Sequence, residues 1–300
     1  MRARRAVCAP HNIRVARALE DTRMQQHTRR RRPCRFGQIL AAAVVLVGCA
    51  DGEEPASSAA GGAKEPVGYL APAQRPQTTG VLPPAPQAGS ARYEADRQIF
   101  KATRQLQGTP RWTLATSDAD GATPAMLRGF SCAVGVPLDA AQLPRLVNLL
   151  DRAGADADHV NTPVKQANRR QRPFQIDDGA VCQSKPQLAK SFDYPSGQAA
   201  LGWTIGLILA ELAPDRATDI DLRARAYADS RVVCGAHNYS AIEAGAMNAA
   251  IVVAALHASP AFRQDAESAR RELAAYRQSA ATMDAGQCTA EKALISTTPY

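Results

Sequence analysis

Pro195-Ser-Gly-Gln-Ala-Ala-Leu-Gly-Trp-Thr-Ile-Gly-Leu-Ile-Leu-Ala-Glu-Leu212 is a cap followed by a strongly apolar helix. Ser196 stands where an N-cap is expected, and Leu201, Ile205, Ile208 and Leu212 recur at helical spacing. A helix this apolar has little surface fit for water, so it belongs at the centre of a fold. Aromatic residues make up only 5% of the 300-residue chain and alanine is abundant, so the surrounding helices are expected to pack closely through small residues.

Helical patterning continues on both sides of this stretch. Before it, helices are expected over Tyr93–Gln107, stopped by Gly108-Thr-Pro110, then Pro124–Val134, then Ala140–Ala153 with Leu143, Leu146, Leu149 and Leu150 on one face, and Asp156 to about Arg170. After it come Asp219–Val232, Asn238–His257 and Ser259–Gln278, the last opening on Ser259-Pro260 as cap and first position. Alternating runs of strand type do not compete, and no internal repeat is found. The fold class is therefore all-α, a single helical domain over 68–280, with a C-terminal tail at 281–300.

The net charge of +8 is not spread over this domain. Residues 1–48 hold eleven Arg, no Lys and two acids, a net of +9, so the remainder carries 8 − 9 = −1. That removes the case for a nucleic-acid partner. The basic front leads into the apolar run Ile39–Val47 and then Gly48-Cys49, the layout of a secretory signal over 1–48. Nine apolar residues are too few to span a bilayer as a helix. Met24 to Gly48, with Arg29–Arg32 as a compact basic region, is the usual signal length, which points to Met24 as the true start. Leu46-Val-Gly-Cys49 resembles a bacterial lipobox, which makes Cys49 a lipidated mature N-terminus, the sole membrane attachment; the alternative is an ordinary cleaved signal and simple secretion. Residues 49–67 are Pro, Ala, Gly and Ser-rich and read as a tether, whereas Gly68 through Pro84 is expected to lie along the domain surface. The compartment is then the periplasm or beyond. Cys132, Cys182, Cys234 and Cys288 remain in the mature domain, enough for two disulfides. No zinc-type ligand spacing is present, so no metal and no cofactor is expected.

Three short runs carry chemistry. Lys165 and Arg172 are seven residues apart, which puts both on one helix face with Arg169 beside them, and Pro173 should end that helix at Arg172. Gly197 opens the apolar helix, whose first amides are unpaired and suit an anion. Arg231 and His237 flank a turn that Gly235 permits. Singly, these are a solvated face, a cap and a structural histidine. In this order and spacing they describe a phosphate pocket with a nucleophilic imidazole.

With those residues in place, the chain resembles the bacterial class A non-specific acid phosphatases of the type 2 phosphatidic acid phosphatase superfamily. The likeness includes Arg172-Pro-Phe174, Phe192-Asp-Tyr-Pro-Ser-Gly197, Gly202-Trp203, Leu209-Ala-Glu211 and Ser230-Arg-Val-Val-Cys-Gly235. It implies a metal-independent, exported hydrolase of phosphomonoesters. Lys165, Arg172 and Arg231 would hold phosphate oxygens, Ser196 and the Gly197 amide would complete the cradle, and His237 would form a phosphohistidine. It also implies a Cys182–Cys234 disulfide, which leaves Cys132 for Cys288.

Two positions depart from the family pattern. Gln198 stands where a histidine general acid is normal, and Ala241 stands where an aspartate normally orients the nucleophile. Gln198 donates hydrogen bonds but transfers no proton. Glu243 is a candidate orienter if the helix starts irregularly, and His159 a remote substitute acid. Two readings stay open: a phosphatase of reduced or altered activity, and a phosphate-binding or interaction lipoprotein that has lost the chemistry. Peroxidase chemistry, which the superfamily also hosts, is disfavoured by the missing acid histidine.

Overall fold

The computed structural model describes residues 67–300; the leader, Cys49 and most of the tether lie outside the described residues. The described elements are α1 (Ala91–Thr103), α2 (Pro110–Ser117), α3 (Thr123–Val134), α4 (Pro144–Asn168), α5 (Lys185–Leu188), α6 (Gly197–Leu212), α7 (Ala217–Val233), α8 (Tyr239–Leu256), α9 (Pro260–Ser279) and α10 (Ala285–Ile295), with short 3-10 turns between them. No strand occurs among the described residues, and the class is all-α.

The apolar stretch is the central helix. α6 packs against α7, α8 and α4, and Ile205, Ile208 and Leu209 are buried in the main core with Leu146, Leu149 and Leu150 of α4 and Val252 and Leu256 of α8. Small residues set the helix separations. A Cβ at Gly206 would lie 2.5 Å from the Ala224 Cβ of α7, and one at Gly245 would lie 2.7 Å from the Ser196 carbonyl oxygen. α8 is long and apolar enough to cross a membrane, yet its inner face belongs to this core.

The helix expected as two pieces, Ala140–Ala153 and Asp156–Arg170, is one element from Pro144 to Asn168. Gly154 does not break it; a Cβ there would lie 2.9 Å from Leu201, so the glycine admits α6. Three helices were not foreseen, the four-residue α5 among them. Thr109-Pro110 opens α2, with the Thr109 side chain accepting from the Trp112 amide. The stretch read as a tail contains α10, capped by Asp284 and bonded to α3 through Cys132–Cys288. Residues 68–86 run over α4 and the start of α6: the Tyr69 and Leu70 amides donate to Asp156, and Tyr194 Oη donates to the Pro83 carbonyl at 2.7 Å.

Candidate active site

A cleft of about 560 Å³ opens beside the starts of α6 and α8, lined among others by Lys165, Arg172, Gln183, Gly197, Gln198 and His237. Lys165, in the last turn of α4, donates from Nζ to the Phe192 carbonyl at 2.9 Å. Arg172 is not on the same helix, contrary to the spacing argument. α4 ends at Asn168, and Arg169 takes a left-handed φ of 47°, which turns the chain away. Arg172 reaches the cleft from the following loop, its Nε donating to Ser191 O and its Nη1 to Ala236 O, both at 2.8 Å. Arg169 is exposed and folds back on Gln166, taking no part.

His237 follows α7 through a turn at Gly235, whose φ is +78°. Its Nδ1 lies 2.8 Å from the Asp193 carbonyl oxygen and 3.0 Å from Asp193 Oδ1, both acceptors, so Nδ1 carries the proton. Nε2 is then the acceptor ring nitrogen, and the Arg172 Nη1–H donates to it at 3.1 Å in the cleft. Burial, with Arg172 nearby, pushes the His237 pKa down to about 3, against the pull of Asp193. Asp193 is fully buried, a condition that opposes ionisation, but His237 and Arg170 hold its pKa below the ordinary value. Asn238 bonds both Asp193 oxygens, and Arg170, 3.7 Å away, is itself tied to Asp96 and Ser240. The nucleophile candidate is thus neutral, of fixed tautomer and braced by a buried chain of charges reaching α1.

Arg231 is fully buried and its pKa is pushed down to about 10 by that burial, so it remains a cation at neutral and acidic pH. Nη2 donates to the Gln183 amide oxygen, while Nε and Nη1 have no partner. Unpaired buried donors on a cation are costly, and Arg231 is not among the residues that line the cleft. Lys165 is similarly strained: burial and Arg172 lower its pKa to about 8.

Ser196 is the cap expected, its Oγ accepting from the Ala199 amide at 3.2 Å, and it is buried. The amides of Gly197 and Gln198 have no helical acceptor, and both residues line the cleft. The Gln198 side chain turns to Ala119, donating to its carbonyl at 2.9 Å.

Three expectations are overturned. Glu243 does not orient His237; it is exposed and pairs with Arg92 on α1. His159 is exposed and does not line the cleft. The lack of a carboxylate at 241 does not leave the imidazole unheld, because Asp193 supplies one, and Ala241 is buried against Tyr194 and Ala85. Asp193 carried no signal of its own, since a single acid before Tyr-Pro has no period and its partner is 44 residues away. Both disulfides form as paired above, Cys182–Cys234 and Cys132–Cys288. Among the described residues no cluster of His, Cys, Asp and Glu could hold a metal ion.

A family model described as the PAP2 superfamily matches residues 154–265, which contain every cleft cation and His237. The chain is 44% identical over 214 residues to an acid phosphatase of Zymomonas mobilis, covering 70% of this chain and 81% of that one. It is 34% identical to a non-specific acid phosphatase of Providencia stuartii, covering 69% and 84%, and 33% identical to one of Salmonella typhimurium, covering 64% and 78%. With a shared pattern over most of their length, these likenesses and the helical cleft lead to one assignment: the chain belongs to the PAP2 superfamily, among the relatives of the bacterial acid phosphatases.

Proposed function

We propose that the protein is an exported class A acid phosphatase that works through a phosphohistidine on His237, with the proton-donating step weakened by Gln198. The observation that carries the reading is the imidazole itself: Nδ1–H is engaged by Asp193 while the unprotonated Nε2 faces the cleft beside Arg172, whose hydrogen bond to it must yield when a phosphoryl group arrives. A depressed pKa keeps that lone pair available at acidic pH.

In the first step Nε2 attacks phosphorus and the bond to the ester oxygen breaks, that oxygen leaving with the electron pair as an alkoxide or phenolate that takes its proton from water. Lys165, Arg172 and Arg231, with the Gly197 amide, stabilise the transferring phosphoryl oxygens. Ser196 acts through the helix start, which it caps, and does not itself reach the cleft. In the second step water attacks phosphorus and loses a proton to solvent, the N–P bond breaks with its electron pair returning to Nε2, and phosphate departs. Gln198 gives no proton to the leaving oxygen, and general acid catalysis is worth about 10²- to 10⁴-fold. Activated aryl phosphates, whose phenolates leave unprotonated, should therefore be hydrolysed far faster than alkyl phosphates. Purified protein assayed on 4-nitrophenyl phosphate and a sugar phosphate near pH 5 tests this. Gln198→His should narrow the gap and His237→Ala should abolish turnover; equal rates on both esters in the wild type would mean that another group supplies the proton.

The same Gln198 favours the second reading, a phosphate-binding lipoprotein without turnover. Binding of inorganic phosphate with no hydrolysis of either ester would select it. Export rests on the leader, and two disulfides suit an oxidising compartment. An acyl chain on Cys49 by mass spectrometry would establish the anchor; its absence would leave simple secretion.

A further inference from the structure

The cleft holds one charged group that phosphate binding does not use. Asp158 lines it from α4, on the same face as Gly154, Ala157 and Lys165, and is the only carboxylate lining it among the described residues. Its one hydrogen bond is a long contact from Thr162 at 3.4 Å, on its own helix. A carboxylate beside a phosphate pocket repels the substrate's dianion, so a purely phosphate-reading site gains nothing from it.

We propose that Asp158 selects the leaving group, and that the preferred substrates are phosphomonoesters of short alcohols bearing an ammonium group. The inference rests on the phosphatase reading above and names its substrate class. Lys165 lies seven residues on, two helical turns along the same face, and the two groups are near enough for Asp158 to oppose the lowering of the Lys165 pKa. A phosphoryl group held by Lys165 and a cation held by Asp158 would therefore be neighbours on that face, which calls for a short chain between them. The neighbouring surface, Gly154, Ala157 and Leu201, is small and apolar and accommodates methylenes. An ammonium group two carbons from the ester oxygen also withdraws electrons and makes the alkoxide a better leaving group, which matters in a site whose position 198 lacks a proton donor.

The test compares 2-aminoethyl, n-propyl and carboxymethyl phosphate, with 4-nitrophenyl phosphate as a measure of turnover itself. The wild type should rank them in that order by kcat/KM, each step about fivefold, the ceiling for a single solvent-exposed ion pair. Asp158→Asn should level the order and Asp158→Lys should invert it. Hydrolysis of 4-nitrophenyl phosphate with equal kcat/KM on the three alkyl esters, or an order that survives both substitutions, would overturn the inference while the phosphatase reading stands. If 4-nitrophenyl phosphate is not hydrolysed either, that reading has failed, and dissociation constants of the three esters decide: the same order supports the selection and equal values overturn it.

Discussion

His237 is a buried imidazole kept neutral by its surroundings and aimed by Asp193, a residue distant in sequence. An asparagine at 193 can still accept from Nδ1–H but loses the charge that steadies the imidazole as positive charge develops on attack. Asp193→Asn is expected to lower kcat on 4-nitrophenyl phosphate by about 10²- to 10⁴-fold with little change in KM, by analogy with the carboxylate–histidine pairs of other nucleophilic enzymes. A rise in KM at constant kcat would show that Asp193 serves binding instead. The aspartate usual four residues after the nucleophile would not help here. Ala241 has no exposure and packs against Tyr194, Ala85 and Ala244, so Ala241→Asp buries a carboxylate without a partner. Thermal unfolding should show a clear loss of stability, on the order of 2 kcal/mol or more, with no gain in rate. A faster, equally stable variant would refute the placement of that side chain.

At the scale of elements, helix ends and the turns between them carry the candidate site. α6 and α8 meet at the cleft because Gly245 lets α8 approach the Ser196 carbonyl, and the Ser196 amide donates to Ala241 O at 2.9 Å. α7 is brought against α6 by Gly206 facing Ala224, and it delivers Arg231 and, past its end, His237. Ser230 fixes the same helix by bonding Asp118 at 2.7 Å and Arg111 at 2.9 Å. Gly206→Val should force α6 and α7 apart; overpacking of this kind costs typically ~1–3 kcal/mol, and the loss of rate should exceed what the lowered melting temperature explains. An active, equally stable variant would show that this contact does not set the site. The pattern of apolar residues made α6, α7, α8 and α9 legible to within about two residues, since each is long and strongly periodic or clearly capped. α4 was divided at Gly154 because a glycine's packing role depends on Leu201, 47 positions away. α2 and α10 are short and polar, so their caps at Thr109 and Asp284 were the only signal, and a cap alone looks like a turn.

For the molecule as a whole, the proposed phosphate site was readable because its residues fall in three ordered runs, and its completion was not, because tertiary contacts decide it. Arg172 enters from a loop rather than a helix face, Arg231 leans on Gln183, and Asp193 replaces a missing carboxylate through a contact that no local pattern encodes. The buried imidazole also sets a pH dependence. A histidine held at about 3 in the fold and at 6.5 when unfolded binds fewer protons in the native state between those values. Its stabilising share is therefore full above pH 6.5 and is lost as the pH falls towards 3. Lys165, at about 8, should lose its charge above that pH, and the affinity for inorganic phosphate should fall as the pH rises through it. The central claim, a neutral His237 that takes the phosphoryl group, is met most directly by rapid acid-free quenching of a reaction with 4-nitrophenyl phosphate at pH 5, followed by mass spectrometry of the peptides. The account predicts a base-stable, acid-labile phosphate on His237 in the wild type and none in His237→Ala; turnover with no phosphorylated peptide, or phosphate on another side chain, would contradict it.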